Sequence, residues 1–260
     1  MKAMILAAGL GTRLRPLTDD CPKALVTVAG RTLLEIALCR LQTFGVHEVI
    51  VNTHHFADMI LEYLKANDNF GMRIEVSREE VLLDTGGGLK RAAHFFLEDG
   101  GSLQEPFILH NVDVVSTIDL GRMMRFHTEQ SALATLAVQD RETSRYLLFD
   151  GHGQLCGRRA GHAVRTEGPN VKEGNAELVR PALGVQPLAF SGIHVISPHL
   201  FAKMRERGVF SIIDAYLHLA AEEEKIIAFR ADEYYWRDLG RPESVMEVAQ
   251  DIRSGKYSGS

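Results

Sequence analysis

The sequence is poor in the features that mark several large protein classes. It has three cysteines in 260 residues, a single tryptophan, and no apolar run longer than a strand. Cys21, Cys39 and Cys156 are irregularly spaced with no Cys-x-x-Cys pair. That excludes a disulfide scaffold and a zinc site, and it fits reduced thiols in a cytoplasmic protein. The apolar stretches fall well short of the ~20 residues that a membrane helix needs. At the N-terminus Lys2 precedes an apolar run that stops at Gly9 with no small-residue cleavage site, so a signal peptide is not expected. The net charge of −5 argues against a nucleic-acid binder but leaves room for a locally positive pocket. There is no internal repeat, no low-complexity tract and no nucleophile–base triad.

Two common phosphate motifs are missing as well. A P-loop requires G-x-x-x-x-G-K-[ST], and the nearest approach is Gly88-Leu89-Lys90. A dinucleotide fingerprint requires a third glycine where Leu14 stands, and Pro16 prevents a helix from starting directly afterwards.

What is present is an alternation of strands and helices. Met4–Ala7 is a near-continuous apolar run, as expected of a strand buried on both faces. Thr32 begins a helix to Phe44 with a capping-box pattern to Glu35, and Gly45 ends it. Strands follow at Glu48–Asn52, Arg73–Ser77, Pro106–His110 and Ala132–Gln139, with helices at Ala57–Lys65, Leu89–Leu97 and Asp119–Glu129. This pattern predicts an α/β fold with a doubly wound, mostly parallel mixed sheet and helices on both faces. After Asp140 it changes to short β pieces (Tyr146–Phe149, Leu188–Val195) around a polar, Gly-rich stretch, 151–183, which reads as a lid, an insertion or a meander. Helices at Pro198–Arg205, Ile212–Ala221 and Pro242–Ile252 and a strand at Ile226–Arg230 complete the chain. One domain over 1–260 is expected, with halves 1–140 and 141–260.

The segment after the first strand holds Gly9, Gly11, Arg13, Arg15 and Lys23. Backbone amides from Ala8 to Thr12 can wrap a triphosphate, because glycine lets the chain approach closely. Arg13 adds a permanently charged planar fork, and Lys23 follows a proline that fixes the local chain. Arg15 is open between a phosphate contact and a structural role. Asp113 ends a hydrophobic strand and Asp238 follows an aromatic run; each suits a magnesium ligand, which prefers one or two carboxylates, and Asp113 equally suits a turn. His54 and His55 lack a nearby carboxylate and read as surface or pocket-wall residues.

Several stretches together carry a family resemblance. LAAGLGTRLRPLT…PKAL resembles the G-x-G-T-R…P-K signature of the sugar-1-phosphate nucleotidylyltransferases. LLDTGGGLKRA is similar to that family's second glycine-rich element, HNVDVV to its N-G-D metal motif, AFSGIHVISPHLF to its sugar-pocket strand, and YYWRDLGRPES to its W-x-D-x-G-T-P-E ending. The D-T-G-G-G and F-S-G-I elements are most similar to those of small bacterial members acting on N-acetylmuramate 1-phosphate or mannose 1-phosphate.

The resemblance implies a Rossmann-like nucleotidyltransferase fold with a sugar-binding β insertion. It implies a cytoplasmic enzyme of nucleotide-sugar biosynthesis, a bacterial cell-envelope precursor route, that takes a nucleoside triphosphate and a sugar 1-phosphate with Mg²⁺. It implies catalytic roles for Arg13, Lys23 and Asp113, and a metal held by Asp113 and Asp238. Nucleotide contacts fall on Leu6, Ala7, Ala8, Gly9, Gly11, Thr12, Arg13, Gly86, Gly87 and Asn111, with the amides of Gly86 and Gly87 reading a base edge. Ser191 and Gly192 become the sugar contacts, the glycine admitting a hexose ring to the backbone. No nucleic-acid or membrane partner is implied, and a monomer or small homo-oligomer is expected.

The chain departs from the pattern in places. The N-G-D glycine is Val112, the closing G-T-P is Gly240-Arg241-Pro242, and the Glu-Lys-Pro lysine that meets the sugar phosphate is absent. Arg180 and Arg241 are the candidates to replace it. Two rival readings stand: a catalytically silent regulatory subunit of the same fold, and a cytidylyltransferase for a non-sugar phosphate such as phosphocholine. The second requires an aromatic cage, for which Tyr234, Tyr235 and Trp236 are the available rings.

Overall fold

The computed structural model describes residues 1–97, 105–161 and 176–257. Its strands in chain order are β1 (Lys2–Leu6), β2 (Thr27–Val28), β3 (Arg31–Thr32), β4 (Glu48–Thr53), β5 (Arg73–Arg78), β6 (Phe107–Asn111), β7 (Val114–Ser116), β8 (Ala134–Gln139), β9 (Arg145–Phe149), β10 (Leu155–Ala160), β11 (Ala176–Leu178), β12 (Gln186–Ile196), β13 (Ile226–Arg230) and β14 (Trp236–Asp238). The α-helices are α1 (Leu33–Thr43), α2 (Ala57–Ala66), α3 (Asp84–Arg91), α4 (Ala93–Leu97), α5 (Leu120–Glu129), α6 (Leu200–Lys203), α7 (Ile212–Ala221) and α8 (Pro242–Arg253).

Ten strands form one sheet, in the order β11-β10-β9-β12-β6-β1-β4-β5, with β8 joined to β12 and β13 joined to β8. The strands β5, β4, β1 and β6 are parallel. The long β12 runs antiparallel to β6, β8 and β9 and ties the second half of the chain to the first. Within the parallel part the winding reverses between β1 and β6. In a doubly wound sheet that switch point opens a ligand crevice at the carboxyl ends of the strands.

The sheet is covered on both faces, as β1 illustrates. Ala3 and Ile5 pack with Leu34, Leu38 and Leu41 of α1 and Val248 of α8, whereas Met4 packs with Leu89, Phe107 and Tyr216 on the opposite side. Successive strand residues face opposite sides, so double coverage is what makes the run apolar without alternation. Helix α1 starts where expected, because Thr32 Oγ1 accepts the Glu35 N–H at 3.0 Å. Gly45, at φ 75°, lies just past its end.

Two helix expectations need correction, and one open alternative is decided. The helix expected from Leu89 begins at Asp84, takes in Gly86, Gly87 and Gly88, and breaks at Ala92. Glycine disfavours helix by ~1 kcal/mol per residue, and here distant contacts compensate. Gly86 and Gly87 donate their N–H groups to the Phe210 carbonyl at 3.0 and 3.2 Å, and Thr85 Oγ1 accepts the Ile212 N–H. The helix expected over Pro198–Arg205 shortens to Leu200–Lys203. The chain turns extended at Met204, and Lys90 Nζ collects the carbonyls of Met204 and Glu206 at 2.9 and 2.6 Å. The polar stretch 151–183 contributes β10 and β11, antiparallel to β9 and to each other in turn, which is the meander alternative; its residues 162–175 lie outside the described ones. Among the described residues no helix is long and apolar enough to cross a membrane.

Candidate functional site

The loop after β1 is anchored at its root. Asn52 at the end of β4 accepts the Ala7 N–H through Oδ1 at 2.8 Å, and its Nδ2 donates to buried Glu79 at 2.7 Å. The second Glu79 oxygen accepts the Leu83 N–H at 2.9 Å. Past this anchor, no amide from Ala8 to Gly11 donates to a protein acceptor among the described residues. Backbone donors are ordinarily paired, and a run of free amides in a turn is a ready seat for an anion. Gly11 adopts φ 65°, with its carbonyl taken by the Leu14 N–H and the Thr18 hydroxyl, each at 2.8 Å. A β-carbon there would be strained and would press on Thr18 Cγ2 at 2.9 Å and Lys23 Cβ at 3.3 Å. Thr12 opens a short 3-10 turn that carries Arg13.

Lys23 opens a second 3-10 turn behind Pro22, and its ammonium forms an ion pair with the Asp113 carboxylate. Asp113 stands between β6 and β7, and its carbonyl accepts the Leu239 N–H at 2.8 Å. The pairing of β7 with β14 sets Asp238 opposite Val114, the residue after Asp113. Asp238 Oδ1 accepts the Gly240 N–H at 2.7 Å. Gly240 is required there: a β-carbon would lie 2.6 Å from Asp238 Oδ1 and 3.0 Å from Arg13 Nη2. Arg13 itself makes no ion pair among the described residues. Arg13, Lys23, Asp113 and Asp238 thus meet in one cluster at the rim of the switch point. Arg15 is paired with Asp19 at 3.3 Å in solvent.

Leu6 and Asn111 are register partners in β1 and β6, which sets Asn111 beside the loop. Gly192 sits at φ 74° where β12 slips register against β8 between Phe190 and His194. Its open side is filled by side chains: a β-carbon would meet Val114 Cγ2 at 2.8 Å and Asn111 Nδ2 at 2.9 Å. Close approach of Val114 and Asn111 thus gives this glycine a packing reason of its own. The Ser191 hydroxyl is fully buried without a hydrogen-bond partner, and its carbonyl accepts Trp236 Nε1 at 2.8 Å. Gly86 and Gly87 are crowded in the same way. Their amides are committed to Phe210, and β-carbons there would run into the Phe210 ring and the Gly208 carbonyl, so close packing of α3 accounts for both.

Arg180 does not belong to the cluster. It pairs with Asp150 at 2.6 Å and donates Nε to the Leu155 carbonyl, in the meander. Arg241 precedes Pro242 at the start of α8, next to Gly240. His54 meets the Glu79 carbonyl through Nδ1 at 2.8 Å, His55 lies on the Phe56 ring, and no group of three metal-ligating side chains occurs among the described residues. The three aromatic rings do not make a cage. Tyr234 accepts from Arg122, Tyr235 donates to Asp251 at 2.7 Å, and Trp236 is covered by Arg141.

Sequence reasoning passed over Asn52, Glu79 and Arg141. Asn52 is a polar residue near the end of an apolar strand and Glu79 follows the end of β5, both weak signals. Arg141 has no local signal: its guanidinium carbon is 3.7 Å from the Trp236 ring centroid and Nη2 donates to the Phe190 carbonyl at 2.8 Å. Burial pushes its pKa down while Asp238 pulls it up. On the other side of Asn111, buried His110 is held neutral with a pKa lowered to about 4 by desolvation.

An α/β sheet with an anion-ready loop, two cations and two carboxylates at its switch point defines a phosphate-handling class, and the chain belongs to the nucleotidyl transferase family, whose model matches residues 2–255. Among its relatives is N-acetylmuramate alpha-1-phosphate uridylyltransferase of Caulobacter vibrioides, 32% identical over 245 residues, 93% of each chain. Mannose-1-phosphate guanyltransferase beta-A of Xenopus laevis is 29% identical over 95% of this chain, which spans 63% of that longer relative. HddC of Yersinia pseudotuberculosis shares the fold at a TM-score of 0.70 and 22% identity, covering 96% of this chain and 99% of that one. The inositol-1-phosphate CTP transferase of T. maritima does so at 0.70 and 17%, over 98% and 96%.

Proposed function

We propose that the protein transfers a nucleotidyl group from a nucleoside triphosphate to a sugar 1-phosphate, releasing pyrophosphate. A phosphate oxygen of the sugar 1-phosphate attacks the α-phosphorus, and the bond from that phosphorus to the bridging oxygen of the β-phosphate breaks. The nucleophile is already ionised near neutral pH, so no protein base is needed. The obstacle is repulsion between two anions: two like unit charges 4 Å apart cost about 4 kcal/mol at an effective dielectric of 20. Positioning and charge neutralisation therefore supply the catalysis.

The observation that carries the reading is the meeting of Arg13, Lys23, Asp113 and Asp238 beside the unpaired amides of Ala8–Gly11. The amides and Arg13 receive the β- and γ-phosphates and steady the departing pyrophosphate. Lys23 turns from Asp113 towards the α-phosphate as charge develops there. Two carboxylates, with no group of three candidate ligands among the described residues, suit Mg²⁺, which takes most of its shell from phosphates and water. Asp113 and Asp238 would hold it, and when bound it supplies positive charge against the phosphates. The rival silent subunit is disfavoured because all four charged residues are present and gathered.

The test is pyrophosphate release from a panel of triphosphates and sugar 1-phosphates, with magnesium or with chelator. UTP and GTP come first, with N-acetylmuramate 1-phosphate and mannose 1-phosphate, as the relatives' names suggest. Release with one pair, abolished by chelator, is expected. Silence with every pair would leave the regulatory subunit as the better reading.

A further inference from the structure

The charges within the cluster nearly cancel. Lys23 is paired with Asp113, and Asp238 faces the Arg13 side of Gly240, so the four side chains sum to zero. Two phosphorylated substrates bring several negative charges, about two of them on a sugar 1-phosphate near neutral pH. A further cation within reach of Asp238 has an evident use.

Arg141 is such a cation. Its guanidinium lies over Trp236 at 3.7 Å, with one edge fixed by the Phe190 carbonyl at 2.8 Å. Trp236 is fixed in turn by the Ser191 carbonyl. Trp236 and Asp238 are two apart in β14, so their side chains share one face, while Arg237 turns the other way towards Glu247 and Asp251. Arg141 therefore stands on the Asp238 side of the strand, and its pKa responds to Asp238. Among the described residues it makes no ion pair, and its Nε is buried with no acceptor at all. Among the described residues this guanidinium is held along one edge, partly desolvated and without a carboxylate at ion-pair distance, Asp238 being the near acidic group. A planar fork with a fixed edge and no ion-pair partner in contact suits a phosphate that arrives with the substrate.

We infer that Arg141 receives the phosphate of the sugar 1-phosphate, holding it against the wall formed by the Trp236 ring and the Phe190 carbonyl, beside Asp238; this rests on the nucleotidyl-transfer reading above. Arg141 would thus fill the place of the missing lysine, for which Arg180 is already committed and Arg241 is the remaining competitor.

Steady-state kinetics of the wild type, Arg141→Gln, Arg141→Lys and Arg241→Gln, each substrate varied in turn, test this. Arg141→Gln should raise the sugar-phosphate KM roughly tenfold to a hundredfold, the loss expected of one charge-assisted contact, and leave the triphosphate KM within about twofold. Arg141→Lys should recover part of the loss, since the charge remains and the fork does not. If Arg141→Gln fails to fold, the split between the two KM values in Arg141→Lys is read in its place. An unchanged sugar-phosphate KM overturns the inference. So does an equal rise in both KM values, which a merely collapsed wall would produce, or a selective rise in Arg241→Gln alone. If the wild type turns over no pair, the nucleotidyl-transfer reading fails separately. Calorimetric titration with the same sugar 1-phosphates then decides Arg141: at least roughly tenfold tighter binding by wild type than by Arg141→Gln sustains the assignment, and weaker discrimination or no binding overturns it.

Discussion

Asp113 illustrates how much of the proposed chemistry rests on single residues. Its side chain neutralises Lys23, its carbonyl holds Leu239, and through that bond it aligns β14, which carries Asp238. Removing the charge separates these tasks. Asp113→Asn keeps the backbone bond and should fold, yet it should lower kcat about a hundredfold or more, the scale seen when one electrostatic partner of a transition state is lost; circular dichroism and pyrophosphate release read the two effects apart. Gly240→Ala places a methyl group against Asp238 Oδ1 and the Arg13 guanidinium. It should lower the melting temperature little, because the atoms it meets are the ends of two side chains that can swing aside, and it should depress turnover at saturating substrate by displacing both. A Gly240→Ala variant with wild-type kcat would show that Asp238 and Arg13 need not keep their present positions. At this scale the sequence was informative wherever a residue belongs to a contiguous motif: Arg13, Lys23 and Asp113 could be named because the loop, the proline and the strand end that hold them are their chain neighbours. Arg141 could not, because Phe190 and Trp236, which define its surroundings, are remote in the chain.

Among the elements, α1 and α3 form for opposite reasons. Helix α1 has a local start signal, Thr32 accepting from Glu35, and an apolar face of helical period. Thr32→Ala should cost about 1 kcal/mol, the usual worth of an N-cap, measured as a shift in the denaturant midpoint. Helix α3 has glycines where a helix is weakest and depends on the Phe210 carbonyl and on Gly208, some 120 residues away in the chain. Gly87→Ala would drive a β-carbon into the Gly208 carbonyl, a backbone atom with no rotamer to yield. About 1–3 kcal/mol of destabilisation is expected from such overpacking, in the same chemical denaturation assay. A neutral Gly87→Ala would mean that the 208–212 segment moves freely away from α3. The same logic gives Gly86, Gly87 and Gly192 a packing reason of their own. A glycine in a sequence says that something comes close, and only the fold says whether that is a ligand or another part of the chain.

For the whole molecule, the sheet buries histidines that no mechanism uses. His110, His127 and His194 have pKa values lowered by burial to about 4, 4 and 3 from 6.5. Each is more basic in the unfolded chain than in the folded one, so as pH falls the unfolded state takes up the proton first. Their contribution to stability is complete above about pH 6.5 and is lost on acidification between that value and the folded pKa, at up to ~1.4 kcal/mol per pH unit for each group. His127 contacts Thr135 at 2.9 Å, well away from the charged cluster. His127→Gln should therefore flatten the acid limb of the stability curve by about one proton's slope while leaving turnover intact. Equal slopes in the two proteins would mean that His127 titrates normally.

The sequence by itself determined the parallel half of the sheet, the start of α1, the glycine turn after β1 and the four charged residues on which the proposed function rests. Each of these is written in short-range terms: period, cap, glycine turn, strand end. Only the tertiary structure decided that α3 runs through three glycines, that Asn111 and Val114 crowd Gly192, and that Arg180 is spent on Asp150 while Arg141 lies over Trp236 with no ion pair among the described residues. Those outcomes depend on which distant groups arrive at the same point. Burial, crowding and the lack of an ion-pair partner are properties of that meeting, and no stretch of chain holds them alone.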